Sequence, residues 1–403
     1  MKSYTFICSL LAASVSSHAI KKPSPNQTGK AVYLLTNDEV NSVVALPIGA
    51  DGKLSRGTVT PSGGNGSNSI DGSTMQPAGP DALVGQSALT LAGNHIFAVN
   101  AGSNSLSMLK ISPNNPTALT LMGKPAAIPG EFPNTVAASA KNNLACVATT
   151  GAVAGISCTT FSNRGLEAMD TLRPIDLGQS TPPVGPTNTV SHIFTNADET
   201  AFLTMVKGDP ATNKTGFVSM LPIQQKSSCK GDKATAAAQD VRSSPNGTAV
   251  LFGSQNIPGG SNVFTTDASF GGAVLSMDAK TGQATLVAKG VVDGQKATCW
   301  SALSGATGSV FVTDVGVPRL VEMSVKDASI ISQVDLSSTG APGFIDLKAA
   351  GGFLYVLTPG NGTTDAAIVV MDVSGGQGTA KPIQTFSLKG VADKNAQGIA
   401  ILE

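Results

Sequence analysis

Short apolar, β-prone runs recur along almost the whole chain, and each is broken off by Gly, Asn, Asp or Pro. Alternating or continuous apolar runs of this length, bounded by turn residues, predict strands. No stretch carries a helical period of convincing length. The clearest unit spans residues 86–128. Gln86–Ala92 reads as a strand, Gly93-Asn94 as a turn, and His95–Asn100 as a second strand. A Gly/Ser/Asn loop then leads to Ser105–Ile111, and a polar turn to Ala118–Ala127. Four strands in about 45 residues is the size of one propeller blade.

The same order returns in residues 134–176, 189–235, 239–290, 297–337 and 343–389. In the unit 239–290 the predicted strands are DVRSSPNG, AVLFGS, AVLSMD and ATLVAK, and GSNVFTTDASFGG reads as a Gly-rich loop. That loop lacks the GK[ST] of a phosphate loop, so a nucleotide site is not expected. The two ends supply one further unit. Lys30–Asn37, Ser42–Ile48 and Leu54–Thr60 look like strands two to four without a first, and Ala396–Leu402 looks like a first strand without the rest. The expectation is an all-β, seven-bladed β-propeller over residues 30–403, its C-terminal strand closing the N-terminal blade and removing the open sheet edges. Two packed β-sandwiches are the competing reading. They do not explain why the strand missing at one end is found at the other.

Residues 1–19 fall outside this pattern. Met1-Lys2 begins a basic segment, Tyr4–Val15 is mostly apolar, and Ser17-His18-Ala19 offers small residues for cleavage. This predicts a secretory signal peptide, followed by a polar segment over residues 20–29. Secretion gives the cysteines a meaning, because Cys8 leaves with the signal and four remain. Cys146 and Cys158 lie on neighbouring strands of one hairpin and are expected to face each other. Cys229 and Cys299 pair only if the loop at 229 folds over the propeller mouth. Five N-x-[ST] sequons, at Asn26, Asn65, Asn213, Asn246 and Asn361, lie in turn-like sequence. Signal and sequons together favour a eukaryotic secreted glycoprotein, extracellular or attached to a cell wall.

Composition narrows the partners. Lys+Arg and Asp+Glu balance at 26 each, and only 13% of residues are charged. A nucleic-acid partner would call for a basic excess, and none exists. No apolar run beyond the first segment approaches the ~18 residues of a membrane span. No C-x-x-C or H-x-x-x-H spacing points to a metal, and no cofactor is implied. A small-molecule or glycan ligand and a monomeric state fit best.

The phrase between strands one and two, seen in SSPNGTAVLFGSQ and LAGNHIFAVNAGSNSLSMLKIS, resembles the seven-bladed lactonase propellers. That family includes 6-phosphogluconolactonase and the 3-carboxymuconate lactonising enzymes. The signal and sequons point to the secreted fungal, carboxymuconate-cyclase-like branch. In a propeller the ligand mouth usually lies at the inner-strand starts and strand-two ends, so the repeat itself names its candidates. The mouth would hold Gln86, Asn100, Asn134, Gln239, Gln255, Asp314 and Gln397, with His192, Asp240 and Arg242 as catalytic candidates. Lining up the turn phrases puts Ser191, Gln239 and Gln255 where the cyclases carry their His, Arg and Glu. A cyclase also needs several cations for a tricarboxylate and a proton donor. Two readings therefore stand: a lactonase- or cyclase-like enzyme acting on a small lactone or carboxylate, and a non-catalytic binding, adhesion or antigenic glycoprotein.

Overall fold

The period of two predicted from the sequence becomes strand after strand. The computed structural model describes residues 28–226 and 233–403. Among them, helix is limited to two 3-10 turns, Pro210–Thr212 and Ser337–Thr339. The signal segment, Asn26 and Cys229 lie outside the described residues.

Among the described residues, seven antiparallel sheets of four or five strands follow one another, with a separate small three-stranded sheet beside them. We number the seven in ring order. Sheet one pairs Ala31–Leu35 with the C-terminal strand Gln397–Leu402. The inner strands of sheets two to seven are Leu89–Ala92, Pro133–Ser139, Val190–Thr195, Leu251–Asn256, Thr298–Ser304 and Leu347–Ala350. Each inner strand packs against the next, and Gln397–Leu402 packs against both Leu347–Ala350 and Leu89–Ala92. The inner strands thus surround one axis, an all-β, propeller-like arrangement.

Position in a sheet sets its pattern. Second strands such as Ala201–Val206 are buried at every residue, because sheets flank them on both faces. The outer strand Ala284–Val291 alternates exposed positions with half-buried ones after a buried Ala284. Apolar cores fill the wedges between sheets, and each large side chain buried there contributes about 1.5–3 kcal/mol. This leaves little surface for charge and accounts for the low charged fraction.

Cys146 and Cys158 are direct cross-strand partners and form a disulfide. The unit 239–290 differs from expectation. Val241–Ser243 is an edge strand of sheet four, paired with Phe217–Lys226. Leu251–Asn256 is the inner strand of sheet five, and the expected loop supplies its second strand, Asn262–Asp267. The misreading has a physical source. Pro245-Asn246-Gly247 is a turn entering an inner strand, yet it looks like the turns that leave one.

Candidate functional site

The two ends of the central channel are built differently. At the end where inner strands begin, the chain fills its own channel. Residues 81–87, which link the small three-stranded sheet to sheet two, are all buried. Each carbonyl from Ala82 to Gln86 has its own donor. Ser69 N–H serves Ala82 at 2.8 Å, Asn134 Nδ2 serves Leu83 at 3.2 Å, and Lys207 Nζ serves Val84 at 2.7 Å. Trp300 Nε1 serves Gly85 at 3.2 Å, and Thr135 Oγ1 serves Gln86 at 2.6 Å. A buried carbonyl without a donor would cost about 1–3 kcal/mol, so this set fixes the segment.

The Gln86 side chain completes the plug. Its amide donates to Ser301 O at 2.8 Å and to Asp346 Oδ1 at 2.9 Å. Its oxygen accepts from Ser301 N–H at 3.3 Å. Gly253 is required beside it, because a Cβ there would meet Gln86 Oε1 and stand 2.7 Å from the Cys299 carbonyl oxygen. The backbone is strained here. Asp81, Val84 and Ser87 have φ of 64°, 48° and 64°, and a β-branched residue rarely occupies that region. The short strands Ile70–Asp71, Gln76–Pro77 and Val184–Gly185 form the small sheet attached to this segment.

Charges are enclosed in the plug. Burial pushes the Asp81 carboxyl up to about 7, against the opposing pull of Lys207. Burial pushes Lys207 down to about 8, opposed by Asp81. Cys299 is fully enclosed, and burial drives its thiol far above the ordinary range. Both amide atoms of Gln397 and Oδ1 of Asp81 are buried without a partner among the described residues.

At the other end, where inner strands finish, the channel is open. A cavity of about 210 Å³ there is lined by Ser87, Thr90, His192, Ser254, Gln255, Asn256 and Lys348 among others. A second, of about 250 Å³, shares Ser87, Thr90 and Lys348 and reaches Glu403 at the rim. His192 bridges two inner walls. Its Nε2 lies 2.9 Å from Ser87 Oγ, and its Nδ1 accepts the Ser254 N–H at 3.1 Å. The ring stacks on Phe194 with centroids 5.0 Å apart. An Nδ1 that accepts a backbone N–H holds no proton, so the neutral ring carries its hydrogen on Nε2 and donates it to Ser87. Burial, and then the Lys348 charge, hold the ring well below its ordinary pKa, so it stays neutral. Ser87 is left with its own O–H to give. Lys348 is half-buried and forms no ion pair among the described residues.

The expected mouth residues are divided by this geometry. Gln86 and Asn134 hold the plug. Asn100 is buried and ties sheets one and two through Asn41 and Ser62. Asp314 accepts the Lys296 and Ala297 N–H groups at 2.7 and 3.1 Å, a strand-entry cap that Asp267 repeats in sheet five. Gln255 lines the open cavity and donates to Ser301 O at 2.8 Å. Gln239, Asp240 and Arg242 lie at the outer edge of sheet four. There Asp240 pairs with Arg242 at 2.8 Å and accepts from Ser219, while Arg242 covers the Phe217 ring. His192 is not brought together with either. Asp240 and Arg242 were expected on an inner strand because the edge strand Val241–Ser243 was taken for one. Ser87 and Lys348 were missed. The signal available for Lys348 was its register on the inner strand Leu347–Ala350, whereas Ser87 ends the plug segment just before its inner strand.

Asn65, Asn213, Asn246 and Asn361 are exposed. Each lies in a connection that follows strand two or enters an inner strand, which is the plugged end. Cys299 has no partner among the described residues. Within the same limit, no helix is long and apolar enough to cross a membrane, and no cluster of His, Cys, Asp and Glu could hold a metal ion.

No known family description and no curated protein matches this sequence. Solved structures do. A periplasmic gluconolactonase of Pseudomonas aeruginosa is 13% identical over 92% of this chain and 99% of its own, with a TM-score of 0.63. A 6-phosphogluconolactonase-like protein of Bacteroides fragilis is 10% identical over 93% and 98%, with a TM-score of 0.56. A protein of Sulfolobus tokodaii described as selenium-binding is 10% identical over 94% and 96%, with a TM-score of 0.57. At these identities the likeness is one of fold: an all-β, propeller-like chain whose structural neighbours include propellers of the lactonase type.

Proposed function

We infer that the chain is a secreted, N-glycosylated, seven-bladed propeller closed by its C-terminal strand, acting at its open end on a small lactone or carboxylate. The observation that carries this reading is the cluster of Ser87, His192 and Lys348. His192 occupies the Ser87 oxygen from one side, so the Ser87 O–H is directed outward. Beside it stands the unpaired Lys348 ammonium. A hydroxyl donor and a cation on one cavity wall suit a carbonyl or carboxylate oxygen. On a lactone they polarise the carbonyl. Water then adds to the carbonyl carbon and gives its proton to the Glu403 carboxylate at the rim; the ring C–O bond breaks as the tetrahedral adduct collapses, and the departing ring oxygen takes that proton, leaving the hydroxy acid. His192 acts as a positioning residue, because its free proton faces Ser87 rather than the ligand.

Two further observations support parts of the reading. The closed succession of inner-strand contacts supports a ring of seven blades. The four described sequons crowd the plugged end, which leaves the open end clear for a ligand. Muconate cyclisation is less well supported, since Lys348 is the one cation that lines the open cavities and a tricarboxylate calls for several.

A second reading, holding the ligand without turning it over, is favoured by His192 Nδ1 being committed to the Ser254 N–H. Calorimetric titration and lactone turnover on purified protein separate the two, with glucono-δ-lactone and γ-valerolactone as probes. Turnover that Ser87→Ala lowers at least tenfold supports the enzyme. Binding that Ser87→Ala weakens, with no turnover, supports the holding reading. Binding or turnover indifferent to Ser87→Ala contradicts both.

A further inference from the structure

A cleft of about 470 Å³ lies between sheets four and five. Its floor is apolar, formed by Leu203, Met220, Val241, Val263 and Met277. Leu203, Val263 and Met277 also belong to the small core that joins these sheets. The cleft begins where the inner strands end. Asn256 lines both it and the open channel cavity, and its Nδ2 donates to Thr195 O at 2.8 Å across the boundary. The two spaces therefore adjoin at one side chain and differ in character. One offers hydroxyls, amides and a cation; the other offers methionine, leucine and valine, bordered by polar residues that include Asp198, Thr200 and Lys280.

We propose that the ligand of the open end is amphiphilic, with a lactone or carboxylate head against Ser87 and Lys348 and an alkyl chain of several carbons running past Asn256 into this cleft. The inference rests on the reading of the open end given above and adds the chemical class of the ligand. The cleft is of the size that takes a small organic group, and its methionines adapt to a chain of variable shape. A polar ligand alone would leave this floor in water, whereas each methylene placed on it gains the transfer free energy of a buried CH₂.

The test is a titration series of γ-lactones that share one ring and differ in side chain, from methyl to hexyl. Affinity should rise up to about fourfold per added methylene and then level off when the cleft is full. Ser261→Trp places an indole at the exposed rim, and Met220→Gln makes the half-buried floor polar. Each should flatten the series while leaving γ-valerolactone affinity and the melting midpoint unchanged. If γ-valerolactone binds and chain length has no effect, the cleft inference fails and the reading of the open end stands. A rising series that survives both substitutions also places the chain elsewhere. If no lactone of the series binds, the reading and the inference fall together.

Discussion

One ring of strands has two ends, and they solve opposite problems. At the plugged end every carbonyl from Ala82 to Gln86 is satisfied, two opposite charges are enclosed, and three strained residues are held in place. At the open end a cation is left unpaired beside a hydroxyl that has a proton to spare. The satisfied carbonyls fix the plug, although Asp81 Oδ1 and the Gln397 amide lack partners there among the described residues, while a free donor and a cation at an open cavity wall suit a ligand. The proposed ligand position lies at the opposite end from the one the sequence suggested, which is where the inner strands begin.

The largest effect is expected at the plugged end. Trp300 is fully buried, packs edge-on against Phe252 at 5.0 Å and donates to Gly85. Trp300→Ala should cost about 3–5 kcal/mol in urea unfolding. A loss below about 1 kcal/mol would mean that the plug does not lean on it.

Next comes pH. With Asp81 raised to about 7, the native state binds a proton that the unfolded chain releases near 3.8. Stability contributed by this group is therefore full at low pH and falls as pH rises from about 4 to about 7. Lys207, lowered to about 8, works the other way: the unfolded chain keeps the proton up to about 10.5, so stability rises between about 8 and 10.5. Asp346 beside the plug is also raised by burial and acts in the same direction as Asp81. Comparing the protein with Asp81→Asn isolates Asp81. Their stability difference should shift against the native carboxyl by a few kcal/mol between pH 4 and 7. A difference that is flat with pH would show that Asp81 is not enclosed as described.

Lys348→Met gives the smallest change in stability and the clearest change in binding. A half-exposed side chain without an ion pair should alter unfolding by less than about 0.5 kcal/mol. Affinity for a small lactone or carboxylate should drop at least about tenfold, the worth of one charge-assisted hydrogen bond.

The repeat was legible because turn residues and apolar runs report strand order directly. The disulfide was legible because hairpin register fixes which residues face each other, as Cys146 and Cys158 do. The site was not. Asp81–Ser87 contains an apolar Ala-Leu-Val run and reads as an approach to a strand, yet its course depends on left-handed residues held by partners on distant sheets. Asp240 and Arg242 were displaced by one misassigned strand. Lys348 carries no local mark beyond its register on an inner strand, and its importance comes from what lies across the channel.

Hydrogen exchange with and without a bound lactone tests the central contrast most directly. New protection should appear at Ser87–Leu91, Thr195, Ser254–Asn256 and Lys348, and not in residues 62–78 or 178–189 around the plug. Protection confined to those residues would place the ligand at the plugged end and contradict the contrast.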